Sequence, residues 1–294
     1  MKRFGTSIKI LGLKLFALLS VIRGYNLFLL VLAQYFASLF IFSRRPYRET
    51  LLDLHLFLLI FASTCLIAAA YIINDFYDAE KDWVNRPHQR SLNEHISQRF
   101  KLNVYMFFNT LALAVAMVLS YRVFAFFVWY AALLWLYSHK LKKLTLVANF
   151  TAALLSVIPF FPLFFYYSRF DGLIFTYAAF LYLLLLARDL AKDFTGIHGD
   201  LIYDYPTLPV ALGVSRAKRI VGFALVLTAV LAGLLAGVFP TGAMRYYFYL
   251  YLIAMGVSAV VLYRARSQRQ FHVLHNLLRA LLVLGIFSIL LVKC

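Results

Sequence analysis

Eight of the twelve acidic residues in this 294-residue chain fall in two short stretches: Asp75, Asp78, Glu80 and Asp82, then Asp189, Asp193, Asp200 and Asp204. The first reads Asn74-Asp75-Phe76-Tyr77-Asp78-Ala79-Glu80-Lys81-Asp82. Its aspartates stand at i, i+3 and i+7, so a helix of 3.6 residues per turn places all three on one stripe and turns Glu80 away. In the second, Asp189 and Asp193 are one turn apart. Asp200 returns to their stripe if the helix continues, but Gly196 and Gly199 predict a break. Stacked carboxylates repel one another unless a cation intervenes. Hard oxygen donors of this kind suit Mg2+, which keeps several waters and is held by a few carboxylates together with substrate phosphates. One isolated Asp-x-x-Asp would read as solvated loop charge; two acid-rich stretches in an acid-poor chain point to metal chemistry.

Cations stand near both stretches: Arg86, Arg90, Lys140, Lys142, Lys143, Arg188 and Lys192. With carboxylates and Mg2+ they would form a diphosphate clamp. Any one of them serves equally well as an ordinary membrane-flanking charge; Lys192, set between helical acids, is the hardest to read that way.

The elements that must position these groups are membrane helices. The chain is 64% hydrophobic and 14% charged, with mean hydropathy +0.82, which excludes a water-soluble fold. Apolar runs long enough to span roughly 30 Å of hydrocarbon occur near residues 22–42, 54–73, 102–120, 123–138, 145–167, 172–188, 219–239, 246–263 and 271–292. They are continuous instead of alternating, so they predict helices and not strands. The expectation is an all-α bundle of about nine transmembrane helices forming one domain over residues 1–294. The first 22 residues have basic ends and an apolar middle, yet Lys14 interrupts that middle and no small-residue cleavage site follows, so they read as part of the mature protein.

With the N-terminus placed in the cytoplasm, 20 of the 29 Lys and Arg lie on the inner side. Both acidic stretches then follow even-numbered crossings and return to that same face, where they can meet. The net charge of +17 is scattered over membrane-flanking loops, which fits positive-inside bias and contact with membrane lipids, and no basic domain suited to nucleic acid is present. Cys65 and Cys294 build neither a disulfide framework nor a zinc site. Pro159 and Pro162 predict a kink in the fifth helix, His272 and His275 read as interfacial packing, and the long polar stretch 85–101 reads equally as a plain connector or as a loop that orders over bound diphosphate.

These residues resemble the UbiA superfamily of intramembrane prenyltransferases, whose first motif N-D-x-x-D-x-x-x-D is matched from Asn74 to Asp82. Arg23-Gly24-Tyr25-Asn26 is similar to R-P-x-N with Gly for Pro, and Tyr137-Ser138-His139-Lys140-Leu141-Lys142 to Y-S-x-x-L-K. Lys192-Asp193 through Gly199-Asp200 is similar to K-D-x-x-D-x-x-G-D with Gly196 in place of the middle aspartate, and Thr207-Leu208-Pro209 matches T-L-P. Asn85-Arg86-Pro87-His88-Gln89-Arg90 departs from N-K-P-x-R-P by carrying its arginine one residue late.

The resemblance implies a Mg2+-dependent enzyme that moves a polyprenyl chain from an allylic diphosphate to a lipid or aromatic acceptor. It implies metal ligation by Asn74, Asp75, Asp78, Asp82, Asp189 and Asp193, with Asp200 and Asn26 as further candidates. Diphosphate would be gripped by Arg90, Tyr137, Lys140 and Lys192. The second motif and T-L-P look nearer to the branch that prenylates geranylgeranylglyceryl phosphate than to the hydroxybenzoate or haem-farnesylating branches, and quinone-precursor aromatic acids stay open as acceptors. The expected location is the inner membrane of the cell, with the site on the cytoplasmic side. The 49 Phe and Tyr residues offer lining for a polyprenyl tail and rings to stabilise a carbocation. Two other readings carry less: a CDP-alcohol phosphotransferase, whose D-G-x-x-A-R stretch is missing, and a cation transporter, whose acids would sit mid-bilayer.

Overall fold

A computed structural model describes residues 2–79, 83, 91–202 and 206–292, with side chains from Gly12 onward. Asp82, Arg86, Arg90 and Asp204 lie outside the described residues. The helices are α1 (Lys2–Val21), α2 (Gly24–Phe36, continued by a π-helical turn Ala37–Phe42), α3 (Tyr47–Leu51), α4 (Leu54–Tyr77), α5 (Gln98–Leu119), α6 (Tyr121–His139) and α7 (Thr145–Val157). They continue as α8 (Phe161–Tyr167), α9 (Gly172–Asp193), α10 (Ile197–Ile202), α11 (Leu208–Leu212), α12 (Val214–Gly237), α13 (Arg245–Arg264) and α14 (Gln268–Ser288). Among the described residues no strand occurs, and nine helical segments are long and apolar enough to cross a membrane. These are the nine runs read from hydropathy.

The helices outlast the runs at the ends that matter. α4 continues past residue 73 to Tyr77 and α9 past 188 to Asp193, because backbone hydrogen bonding carries on after side-chain hydropathy falls. At the end of α4 the Asp78 N–H still donates to the Asn74 carbonyl, 2.9 Å. The connector expected over 85–101 is shorter, since α5 starts at Gln98 with the Ser97 hydroxyl accepting from the Phe100 N–H, 3.2 Å.

The chain divides into two compact units. In the unit formed by residues 1–31 and 53–139, α4 packs on α5 and α6. Asp53 starts α4 by accepting from the N–H groups of His55 and Leu56, 3.0 and 3.3 Å. Ala62, Ala68 and Ala69 of α4 are buried, as are Ala112 and Ala116 one turn apart on α5. Side chains this small let helix backbones approach closely, which is the main source of packing energy where lipid removes the hydrophobic driving force. Arg23 turns the chain from α1 into α2 with φ 51°, and its guanidinium lies 5.0 Å over the Tyr71 ring.

The other unit comprises residues 32–52 and 140–294. Here α9 packs on α7, α12 and α14, and α13 lies against α12 and α14. Phe180 of α9 meets Phe248 and Tyr251 of α13 edge to face, centroids 5.4 and 4.9 Å apart. The fifth span is broken at Pro159 and Pro162 as expected, with one 3-10 turn (Ile158–Phe160) between α7 and α8. The Pro159 carbonyl accepts from Gln34 Nε2, 2.8 Å, and Gln34 is itself buried, so the break is closed by a side chain from the first span.

Gly285 of α14 fits against Tyr247, whose buried hydroxyl donates to the Leu281 carbonyl, 2.9 Å. A Cβ at residue 285 would stand 2.7 Å from that hydroxyl oxygen and 3.1 Å from Cζ. Gly285→Ala is therefore expected to destabilise the protein by about 1–3 kcal/mol through overpacking. Thermal unfolding in detergent checks this, and adding Tyr247→Phe should recover part of the loss.

Candidate functional site

The first acidic stretch occupies the last turn of α4 and the residue that ends it. Asn74 Nδ2 donates to Asp78 Oδ2, 2.8 Å, across one turn. That bond fixes the orientation of the amide, so Asn74 presents its carbonyl oxygen and Asp78 its carboxylate from the same stripe of a half-buried helix end. Asp75 is different. Its Oδ1 accepts from Asn93 Nδ2 at 2.7 Å and its Oδ2 from Lys101 Nζ at 2.7 Å. Both partners are buried, and Lys101 is only 1% exposed. The sequence grouped Asp75 with Asp78 as metal ligands; in the folded protein each Asp75 oxygen already serves a protein donor.

The second stretch closes α9. Asp193 Oδ2 accepts from Asn149 Nδ2 of α7, 2.7 Å, and the Leu208 backbone amide at the start of α11 approaches the same carboxylate. Asp189, one turn earlier, pairs through Oδ1 with its neighbour Arg188, 2.8 Å. The expected break follows. Thr195 and Gly196 turn the chain, their N–H groups donating to the carbonyls of Lys192 and Asp193 at 2.9 and 3.4 Å. Asp200 then lies buried in the first turn of α10, not on the continuation of the α9 stripe.

The remaining candidates are distributed as follows. Lys192 is half-buried on the last turn of α9; Tyr137 is half-buried on the last turn of α6; Lys140 is exposed just beyond α6; Asn26 is half-buried on the first turn of α2. His139 stacks on Trp135, centroids 5.1 Å apart, and tilts against Tyr77 at 5.4 Å. Asp82 and Arg90 lie outside the described residues.

Three residues of these networks were not singled out from sequence: Asn93, Lys101 and Asn149. Asn149 had a usable signal, a carboxamide inside an apolar span, which must find a partner when buried. Asn149→Leu would leave the Asp193 carboxylate without its charge-assisted bond, a change of about 1.5–3 kcal/mol that corresponds to roughly ten- to a hundredfold in rate. The expected result is that loss in kcat/KM together with a lowered melting temperature, and initial rates beside a thermal scan measure both.

Whether these residues suit Mg2+ is decided by their chemistry. Among the described residues no three His, Cys, Asp or Glu side chains cluster as a metal site in themselves. Among the described residues the donors are oxygens in pairs, Asn74 with Asp78 and Asp189 with Asp193, while the His275 ring lies beside the second pair with Nδ1 3.4 Å from the Arg188 carbonyl. Few protein oxygens per ion, completed by water and substrate phosphate, is the ligation that Mg2+ prefers. The donor set fits.

The model of the UbiA prenyltransferase family matches residues 31–283. A digeranylgeranylglyceryl phosphate synthase from Thermococcus gammatolerans is 29% identical over 233 residues, covering 76% of this chain and 80% of that protein. The enzyme of that name from Korarchaeum cryptofilum is 24% identical over 232 residues, covering 77% and 81%. In fold, the chain is similar to a UbiA homolog from Archaeoglobus fulgidus solved with GPP and Mg2+, with a TM-score of 0.68 over 93% of this chain and 99% of that one at 15% identity.

Proposed function

This chain belongs to the UbiA prenyltransferase family, an integral membrane prenyltransferase, and on that premise we propose that it transfers a geranylgeranyl group from its allylic diphosphate to geranylgeranylglyceryl phosphate. The observation that carries the reading is the pair of oxygen donors at the end of each of two membrane helices, Asn74 with Asp78 on α4 and Asp189 with Asp193 on α9. The named relatives and the T-L-P segment, whose Leu208 amide approaches Asp193, support this acceptor over an aromatic one. The positive-inside distribution of Lys and Arg supports a site on the cytoplasmic face of the cell membrane.

In this proposal Asn74, Asp78, Asp189 and Asp193, with Asp82, hold Mg2+, while Lys192, Lys140, Tyr137 and Arg90 grip the diphosphate. Mg2+ when bound supplies charge neutralisation for the departing diphosphate. The residues of the chain hold that charge at the membrane surface and orient the allylic carbon toward the acceptor. The acceptor's hydroxyl oxygen bonds to C1 of the donor as the C1–O bond to diphosphate breaks, and the hydroxyl proton passes to the diphosphate or to water. No side-chain nucleophile is needed. A four-isoprene tail gains about 0.8 kcal/mol per buried CH2-sized group, so donor and acceptor both reside in lipid and a helix bundle meets them there.

Purified protein in lipid nanodiscs, incubated with Mg2+, labelled geranylgeranyl diphosphate and separate acceptors, tests this. Label is expected in the glyceryl phosphate lipid, and EDTA is expected to abolish transfer until Mg2+ is restored in excess. Transfer to hydroxybenzoate alone would overturn the acceptor assignment. Transfer to no acceptor would overturn the reaction.

A further inference from the structure

We propose that Asp75 is not a metal ligand but a positioning residue: its buried ion pair with Lys101, braced by Asn93, locks the end of α4 to the start of α5 so that Asn74 and Asp78 keep their aim. The inference rests on the prenyl-transfer reading above for its catalytic consequence, while the ion pair stands independently of it.

Four observations carry it. Asp75 and Lys101 are both buried, and their 2.7 Å contact lies within the range of a charge-assisted bond. The second carboxylate oxygen is held by Asn93 Nδ2 at the same distance, so the carboxylate bridges the segment before α5 and α5 itself. Asn74, beside Asp75 in the chain, orients Asp78 by its own hydrogen bond, so a rotation of this helix end would displace the donor pair together. Finally, the Lys101 ammonium competes electrostatically with any cation at Asp75, and a divalent ion placed there would have to displace it or lie against a like charge.

A buried pair of this kind gives little net stability over an apolar pair of equal size, but removing one partner alone is severe. That asymmetry separates the two roles of Asp75. A metal ligand cannot be rescued by deleting Lys101. A positioning residue can, because the neutral pair Asp75→Asn with Lys101→Met keeps shape and removes both charges.

The experiment compares wild type, Asp75→Asn, Lys101→Met, the double variant and Asp78→Ala. Two readouts are taken: the thermal shift given by Mg2+ with inorganic pyrophosphate, and the Mg2+ half-saturation of prenyl transfer. Both single variants are expected to melt lower, with the double variant recovering toward wild type because the pair acts as a unit. The double variant should keep the Mg2+–pyrophosphate shift and a half-saturation within about threefold of wild type, whereas Asp78→Ala should lose the shift and need at least roughly tenfold more Mg2+. If the double variant melts no higher than the worse single variant, the coupled pair is refuted by stability alone. If it folds as wild type but loses the shift as Asp78→Ala does, Asp75 binds metal and the proposal fails. Absence of any shift or turnover in wild type would instead refute the prenyl-transfer reading, leaving the melting comparison to judge the pair.

Discussion

Asp78→Ala and Asp193→Ala are each expected to lower kcat/KM for prenyl transfer about a thousandfold, because on the proposed site each removes a carboxylate that would hold the Mg2+ needed to neutralise a departing diphosphate, a contribution of several kcal/mol at roughly 1.4 kcal/mol per decade. The two differ in what is left behind. Asp78 shares its stripe with Asn74, which donates to it at 2.8 Å, so its removal also takes that hydrogen bond from the amide. Asp193 is held by Asn149, and its loss leaves a buried carboxamide without an acceptor. Asp→Asn at each position separates these effects, since the isosteric amide keeps the shape and loses only the charge. Steady-state rates over a Mg2+ series measure the result, and full activity in both alanine variants would sink the metal assignment.

Lys101→Met taken singly is expected to destabilise the protein by about 3–5 kcal/mol, the cost of taking a buried charged partner from a buried carboxylate. Asp75 cannot escape to water from this position, being 8% exposed with its other oxygen bound to a buried Asn93. The variant should therefore lose folded yield and melt well below wild type. Lys140→Met, at an exposed site beyond α6, should leave stability unchanged, because an exposed cation contributes little. Melting curves of the two variants side by side check the contrast; equal melting temperatures would show that the Lys101 pair contributes nothing to the fold.

Much of the architecture was written in the hydropathy of the chain. Among the described residues the nine apolar runs became nine helical spans because lipid leaves the backbone no other partner than itself, so composition alone selects helical structure. The break between Asp193 and Asp200 was legible in the same way from Gly196 and Gly199. Helix ends were read short because hydropathy ends where charged residues begin, while Asp75, Asp78, Asp189 and Asp193 remain on or against continuing helical turns.

Spacing along one helix is a local property, and the sequence by itself determined it: Asp75 and Asp78 share a stripe, as do Asp189 and Asp193, whatever surrounds them. Only the tertiary structure decided what each carboxylate is paired with. Lys101 reaches Asp75 from 26 residues away and Asn149 reaches Asp193 from 44, and no periodicity within a helix encodes such a partner. Two aspartates that are equivalent by spacing, Asp75 and Asp78, thus part company once the helices pack, because a carboxylate's role is set by the donors that packing brings to it.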